Sequence, residues 1–511
     1  SRYRFARPAL RETVYRALPE ALRRRLHGDA ARALAPPAGE PISLADAFQR
    51  AFHLRAAERH EEILRLIRAL LPRLMWRGLV QRVFSLSRWG LEALDELPET
   101  PARERMRLEL LEAAADAADR LGARAEQREL LDRLSDLDLT PERDPETLGR
   151  VYLLHGRYAV STGRYGLARG WLRSADELFA RAGNDRLRAE ALRRFGAVQQ
   201  HVGELEEGER LGRQALELSV DDLQRALALL VMCAGDVLRN RLDVALERAS
   251  EALRLLRNER ERFVDGAVGN AFLLRARIYR CAGRPVRALA AADHALELAR
   301  RAGERRLEAE AGARLGGLLL AVDRHDEAEE RLREAWLVAE EIEDRRGQAL
   351  SALFLGVLLA EDDRADARRW TELAVNLARE VGLNRVEALS TAVLARFQFH
   401  AGEAAASTSA AHANELLDRY GAELMDRIVI EGTRALLLQS AGRLGESEAI
   451  ELALRRRIRR EAERFTSDVA RRRLRSAANR LLDAVLSPDG PLYPRLRLGA
   501  DGISAAASRR E

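Results

Sequence analysis

Every one of the 86 basic residues in this 511-residue chain is an arginine. A guanidinium keeps its proton at any ordinary pH and presents five donors in a flat fork, so its chemistry is the gripping of carboxylates and phosphates. The missing lysine removes two reactions at once. A P-loop needs a lysine on its phosphates, as does a protein-kinase nucleotide site, and neither can be built here. GC-rich coding explains the bias, with selection against a lysine-directed modification as the alternative. The nine histidines form no HExxH and no pair with cysteine suited to a metal. No G-x-S-x-G elbow or Rossmann glycine fingerprint occurs. The spaced aspartates of 135–147 lack the glycine and terminal glutamate of a calcium loop and read as a helix-capping loop. The chain is therefore expected to be no enzyme, with no cofactor and no metal, and its arginines to serve binding.

The elements that must position those arginines are set by small residues about forty apart. Ala115, Gly156, Gly196, Cys233, Ala276, Gly316, Gly356, Ala395 and Ala435 form one column, with steps of 37 to 43 residues. Seven residues after each stands Gly122, Gly163, Gly203, Asn240, Gly283, Asp323, Asp363, Gly402 or Gly442. Gly, Asn and Asp tolerate the left-handed backbone that ends a helix. A third small column follows at Ala168, Gly208, Ala245, Ala288, Ala328, Ala367, Ser407 and Ser447. Such a unit is an antiparallel helix hairpin: small residues let its helices close up, and the second column stops the first helix. One hairpin cannot bury both faces, so neighbours must stack.

The columns also select an inner face. If the first helix of each unit lines the inside of the stack, residues one and four past the small column point inward. They include Asp116, Asp119, Arg157, Arg277, Arg280, Arg396 and Gln439, with Arg150, Arg193 and Asn270 on the adjacent row. A groove lined so is expected to take an acidic or phosphorylated segment by bidentate pairing. The two cysteines, Cys233 and Cys281, exclude a disulfide framework and suit a reducing compartment, and Cys233 reads as a packing residue. No apolar run reaches the roughly 18 residues of a bilayer span, so a cytoplasmic protein away from membranes is expected.

The 40-residue unit, clearest in "NAFLLRARIYRCAGRPVRALAAADHALELA", resembles the tetratricopeptide repeat (TPR), in a form about six residues longer than the usual 34. The resemblance implies an all-α fold, a right-handed TPR-like α-solenoid of nine repeats over 102–455. Asp236 stands where Tyr279 does, and Gln127 where Ala288 does, which sets those two units apart.

Residues 1–35 read differently. Phe5, Leu10, Arg11, Glu12, Tyr15, Leu18, Arg23, Leu26 and His27 resemble the "RFxHxxLRExxYxxLxxxxRxxLH" run that ends the winged-helix segment of STAND-class signalling ATPases. Arg7 or Pro8 stands where that family has a histidine. A linker, "PPAGEPIS", leads to 44–101, similar to the leading helical repeats of the same regulators, with Gly78, Trp89, Leu91, Glu92, Ala93, Leu94 and Pro98 in comparable places and Trp89 as the packing anchor. At the other end 449–486 reads as one capping helix or a broken pair, followed by a disordered tail over 487–511. Eleven arginines face three acidic residues between Arg455 and Arg480. This exceeds the whole-chain net charge of +5.

The resemblance implies the carboxy-terminal regulatory arm of a larger STAND-type signalling protein. Such an arm binds a protein, a peptide or a small inducer, an acidic segment being favoured, and contacts a nucleotide-binding module lying upstream. The alternative is a stand-alone scaffold whose basic helix, through Arg471, Arg472 and Arg473, binds nucleic acid or an acidic partner.

Overall fold

The structure is a computed structural model and describes residues 8–36, 42–259, 264–360, 364–465, 467–488 and 490, with the backbone alone for 8–11. The described residues form helices and connecting turns without a strand. Ala, Leu, Arg and Glu fill the helix interiors, which suits their propensities. The chain divides into two compact units, 1–119 with 125–137, and 120–124 with 138–511.

The first unit holds α1 (Pro8–Ala17), α2 (Glu20–Ala33), α3 (Leu44–Ala56), α4 (His60–Trp76), α5 (Val80–Asp95), α6 (Pro101–Leu121) and α7 (Arg124–Ser135). Phe5 and Arg7 lie outside the described residues. Two other residues of the motif meet directly: the Tyr15 hydroxyl is 2.8 Å from His27 Nε2, and His27 Nδ1 is 2.8 Å from His53 Nδ1. Trp89 is half-buried, 5.2 Å from the Phe48 ring, with the Arg55 guanidinium 5.5 Å above it. Arg55 is fixed there by both oxygens of Glu92.

The second unit runs α8 (Pro145–Ser161), α9 (Tyr165–Ala182), α10 (Asp185–His201), α11 (Leu205–Glu217), α12 (Asp222–Leu238), α13 (Leu242–Asn258), α14 (Asp265–Cys281), α15 (Pro285–Ala302), α16 (Arg305–Leu320), α17 (His325–Glu341), α18 (Arg345–Leu358), α19 (Arg364–Glu380), α20 (Asn384–His400), α21 (Ala405–Tyr420), α22 (Leu424–Ser440), α23 (Leu444–Glu463) and α24 (Asp468–Leu486). Each even-numbered helix from α8 to α22 packs on the odd-numbered helix that follows it, and α24 covers α22 and α23. The 449–486 stretch is thus a broken pair. The tail beyond 490 lies outside the described residues.

Small residues set the hairpin spacing. A Cβ added at Gly316 would come 2.5 Å from Leu332 Cγ, and one at Gly196 would come 2.9 Å from the Gly208 carbonyl. Two polar members of the columns also bond across the hairpin: Ser447 Oγ donates to the Ala435 carbonyl at 2.8 Å, and Cys233 Sγ to that of Ala245 at 3.2 Å. Cys233 is fully buried, and burial pushes its thiol up to about 12.

The helix-ending column has φ between 58° and 91° at Gly122, Gly163, Gly203, Asn240, Gly283, Asp323, Gly402 and Gly442. Asp363 lies outside the described residues. Several of these positions in the second unit have a further role, Gly163, Gly203 and Asn240 among them. A Cβ at Gly163 would collide with the Val381 carbonyl, and one at Gly203 would lie 2.9 Å from the Arg419 carbonyl. Asn240 Oδ1 accepts the Leu424 N–H at 3.0 Å, 184 residues along the chain. The array winds back on itself, and these loop tips are where an early turn touches a later one.

Candidate ligand-binding site

The winding encloses a cavity of about 410 Å³, lined by α10, α12, α14, α16, α18, α20 and α22. That falls in the size range of small-ligand pockets. One part of its wall is apolar, with Leu227, Leu230, Leu273, Leu318, Leu350, Leu353, Phe354 and Leu389. The other part carries six arginines, Arg193, Arg277, Arg280, Arg314, Arg346 and Arg385, against Glu310, Glu423 and Asp426.

The three carboxylates are all engaged. Glu423 takes Arg277 at 2.8 Å and also Arg280, while Asp426 takes Arg280 at 2.8 Å. Glu310 takes Arg346 at 2.9 Å and Arg314 at 3.1 Å. Burial would raise the Glu423 carboxyl, but Arg277, Arg280 and Arg314 outweigh it and hold it well below the usual carboxylate range. Glu310 behaves alike, its burial overcome first by Arg346 and then by Arg314. Cys281 Sγ lies 3.2 Å from Glu423 Oε2, and burial together with that charge drives its thiol far up. The Glu423 pairs also close the winding, since α14 and α22 are joined over 146 residues.

Arg385 differs from its neighbours. It has no carboxylate within ion-pair distance among the described residues. Its Nε donates to the Tyr420 carbonyl at 3.1 Å and its Nη2 to that of Gln200 at 2.5 Å. Burial and then the nearby Arg277 push it down to about 10.

Of the residues expected to face inward, Arg193, Asn270, Arg277 and Arg280 line the cavity. Arg277 and Arg280 are already paired within the chain rather than presented to an acidic segment. Arg150 on α8 pairs with Glu146 at 2.6 Å, and Arg157 on the same helix is part-buried. Asp116 and Asp119 lie part-buried on α6 of the first unit. Gln439 is exposed and outside the lining. Arg396 corrects the expectation most sharply. It is fully buried and donates to the carbonyls of Val485 at 2.7 Å, Ser487 at 3.3 Å and Gly490 at 3.0 Å. It caps the end of α24, where helix carbonyls lack intrahelical partners, and plays no part in the cavity. On α24 itself Arg471 pairs with Asp468 at 3.3 Å, while Arg472 and Arg473 are exposed.

The reason is geometric. The lining residues one and four past the small column are right for α10 and α14, as Ala197, Gln200, Arg277 and Arg280 demonstrate. In α16 the lining includes Glu310 and Arg314, both before Gly316; in α18 and α20 it reaches Arg346 and Arg385, ten residues before Gly356 and Ala395. Each later helix therefore crosses the cavity nearer its amino terminus. A fixed offset misses Glu310, Arg314, Arg346, Arg385 and Glu423. A second buried cluster, Asp236 with Arg248 and Glu209 with Arg239, was likewise not read from the sequence beyond the odd Asp236.

No family model matches this chain, and no curated protein matches it. Among solved structures it resembles the crystal structure of a Rap protein complexed with competence and sporulation factor, at 15% identity and a TM-score of 0.54, covering 71% of this chain and 97% of that one. The apo form of the quorum sensor NprR from B. thuringiensis aligns at 13% identity and a TM-score of 0.45, over 71% of this chain and 98% of that one. At such identities the likeness is one of architecture, and the architecture is that of an all-α, TPR-like solenoid.

Proposed function

We propose that this chain is a binding and regulatory arm that takes a peptide segment or small inducer into the cavity of its second unit. The observation that carries the reading is the cavity itself, closed by ion pairs between distant helices and lined by unequal numbers of arginines and carboxylates. An occupant there touches both ends of the winding, so binding and conformation are coupled. The Rap protein of similar fold, itself complexed with competence and sporulation factor, adds support by analogy of architecture. The arm belongs to a STAND-type signalling ATPase, contacts that protein's nucleotide-binding module, and performs no catalysis. The motif at Tyr15 and His27 supports that assignment. A P-loop encoded upstream is the observation that tests it.

Thermal-shift titration with short acidic peptides and small inducers tests the cavity. A saturable shift is expected, abolished by Ala234→Phe, which fills the space. Hits that survive Ala234→Phe, or a panel without hits, would remove the cavity from the account.

A second reading rests on α24, where Arg472, Arg473 and Arg475 are exposed. Nucleic-acid binding there requires a steep salt dependence, lost on changing Arg471, Arg472 and Arg473 to Ala. A flat salt response dismisses it.

A further inference from the structure

The geometry points to an amphipathic ligand whose compact anionic group, a carboxylate or phosphate, sits between the first turn of α20 and the guanidiniums of Arg385, Arg346 and Arg277. This deepens the cavity reading and rests on it. Three observations converge. The wall carries six arginines and three carboxylates. Glu423, Asp426 and Glu310 engage four of the arginines and Glu190, beyond the wall, lies 4.0 Å from Arg193, so Arg385 is left with no carboxylate at ion-pair distance among the described residues. Arg385 holds two backbone carbonyls through Nε and Nη2, leaving Nη1 for another acceptor. Helix α20 opens without a side-chain cap at Leu383, and the N–H groups of Asn384, Arg385 and Val386 have no acceptor among the described residues. All three residues line the cavity.

An uncapped helix start presents N–H donors and the positive end of the helix dipole. Here it lies beside a guanidinium that no carboxylate among the described residues pairs with directly, in a cavity where charges are poorly screened. An anion meets both; a neutral ligand leaves both unanswered. The rest of the wall, including Leu350, Leu353, Phe354 and Leu389, suits an apolar body attached to that anion.

The test is calorimetric titration of the whole chain with octanoate and octyl phosphate, against octanamide as the neutral control. A second arm uses a tripeptide ending Leu-Leu-Phe, with its carboxy terminus free or amidated. The acids of at least one arm should bind at least tenfold more tightly than their neutral counterparts. Arg385→Met should weaken the acids at least tenfold and leave octanamide unchanged. A response from the alkyl acids identifies a lipid-like source, and one from the free peptide a chain terminus; either supports the inference. Equal binding of acid and amide overturns it, as does an unaltered acid affinity in Arg385→Met. Because Arg385 also bridges Gln200 and Tyr420, a variant that fails to fold leaves the acid-against-amide comparison in the unaltered chain to decide. Acid and amide binding equally, with both excluded by Ala234→Phe, would sink the anion and keep the cavity. If no probe binds, this inference fails, and the cavity is judged by its own ligand panel.

Discussion

Two arginines on one helix, Arg385 and Arg396, sit in regions with opposite purposes. Both donate to backbone carbonyls, neither has a carboxylate partner among the described residues, and burial pushes both down to about 10. Arg396 is sealed in the seam between α20 and the end of α24, and burial is the sole cause of its shift. Arg385 opens onto the cavity and is further repelled by Arg277 and Arg346. The same side chain is a structural clasp where both of its terminal nitrogens hold carbonyls and a waiting contact where one of them does not. A guanidinium's role is read from what surrounds its fork, and burial alone does not distinguish the two.

The comparison is broken most severely by making more of the cavity resemble Arg385. Glu423→Gln would leave Arg277 and Arg280 without their main carboxylate, and breaking a buried pair from one side costs about 3–5 kcal/mol. Denaturant unfolding measures it, and a loss under about 1 kcal/mol would mean that the pairs do not hold α14 to α22. Acid applies the same stress without mutation. Glu423 and Glu310 are held well below their ordinary value, and the part-buried Glu190, whose desolvation is outweighed by Arg194 and Arg193, falls to about 2. For carboxyls depressed on folding, the stabilisation is complete above their unfolded pKa, near 4.5, and is lost as pH falls through the folded values. Stability should therefore decline below about pH 4.5, with a shallower slope in Glu423→Gln. Hydrogen exchange should show the seam around Arg396, which pairs with no carboxylate among the described residues, loosening no earlier than the cavity helices.

A direct contrast comes next. Arg396→Met strips three carbonyls of their donor and should cost about 3 kcal/mol, with exchange protection lost first in α24. Arg385→Met strips two carbonyls, those of Tyr420 and Gln200, and should cost less, about 1–2 kcal/mol, because the cavity side of its fork holds no bond that the change would break. Equal losses would erase the distinction between clasp and contact. A last contrast, ending on the smallest effect, concerns the loop tips on either side of the comparison. Gly163→Ala adds a strained backbone and a collision with Val381, roughly 2–3 kcal/mol. Gly442→Ala has the same strained φ but open space around it, and should cost only about 1 kcal/mol. Indistinguishable melting of the two would show that Gly163 ends a helix and does nothing more.

Much of the fold was legible because its rules are local. A glycine seven residues past a small residue ends a helix whatever lies far away, and all eight described members of that column take the left-handed backbone. The odd unit at Asp236 also keeps its hairpin, the buried carboxylate being met by Arg248 and Arg241. The site was only half legible. Arg193, Asn270, Arg277 and Arg280 follow from helical periodicity, but Arg346 and Arg385 depend on the tilt of the cavity across successive helices. Tilt is a property of the winding, which no single repeat encodes. Glu423 was hidden for a related reason: it precedes α22, in a turn, and its partners lie 146 and 143 residues earlier.

The fastening of early turns to later ones also governs how this unit is made. A linear stack of hairpins contains only neighbour contacts, so it can fold from any point and propagate. Here Asn240 waits for Leu424 and Arg277 for Glu423, contacts of 184 and 146 residues. Such separations raise contact order and slow the final step of folding. During synthesis the hairpins from α8 to α20 can form as they emerge, yet Arg277 and Arg280 stay without their carboxylates until α22 has left the ribosome. The cavity is therefore complete only once most of the repeats have formed, and a chain truncated before Glu423 would keep the approach of Gly163 to Val381 and of Gly203 to Arg419 but lose the ion pairs that join α14 to α22.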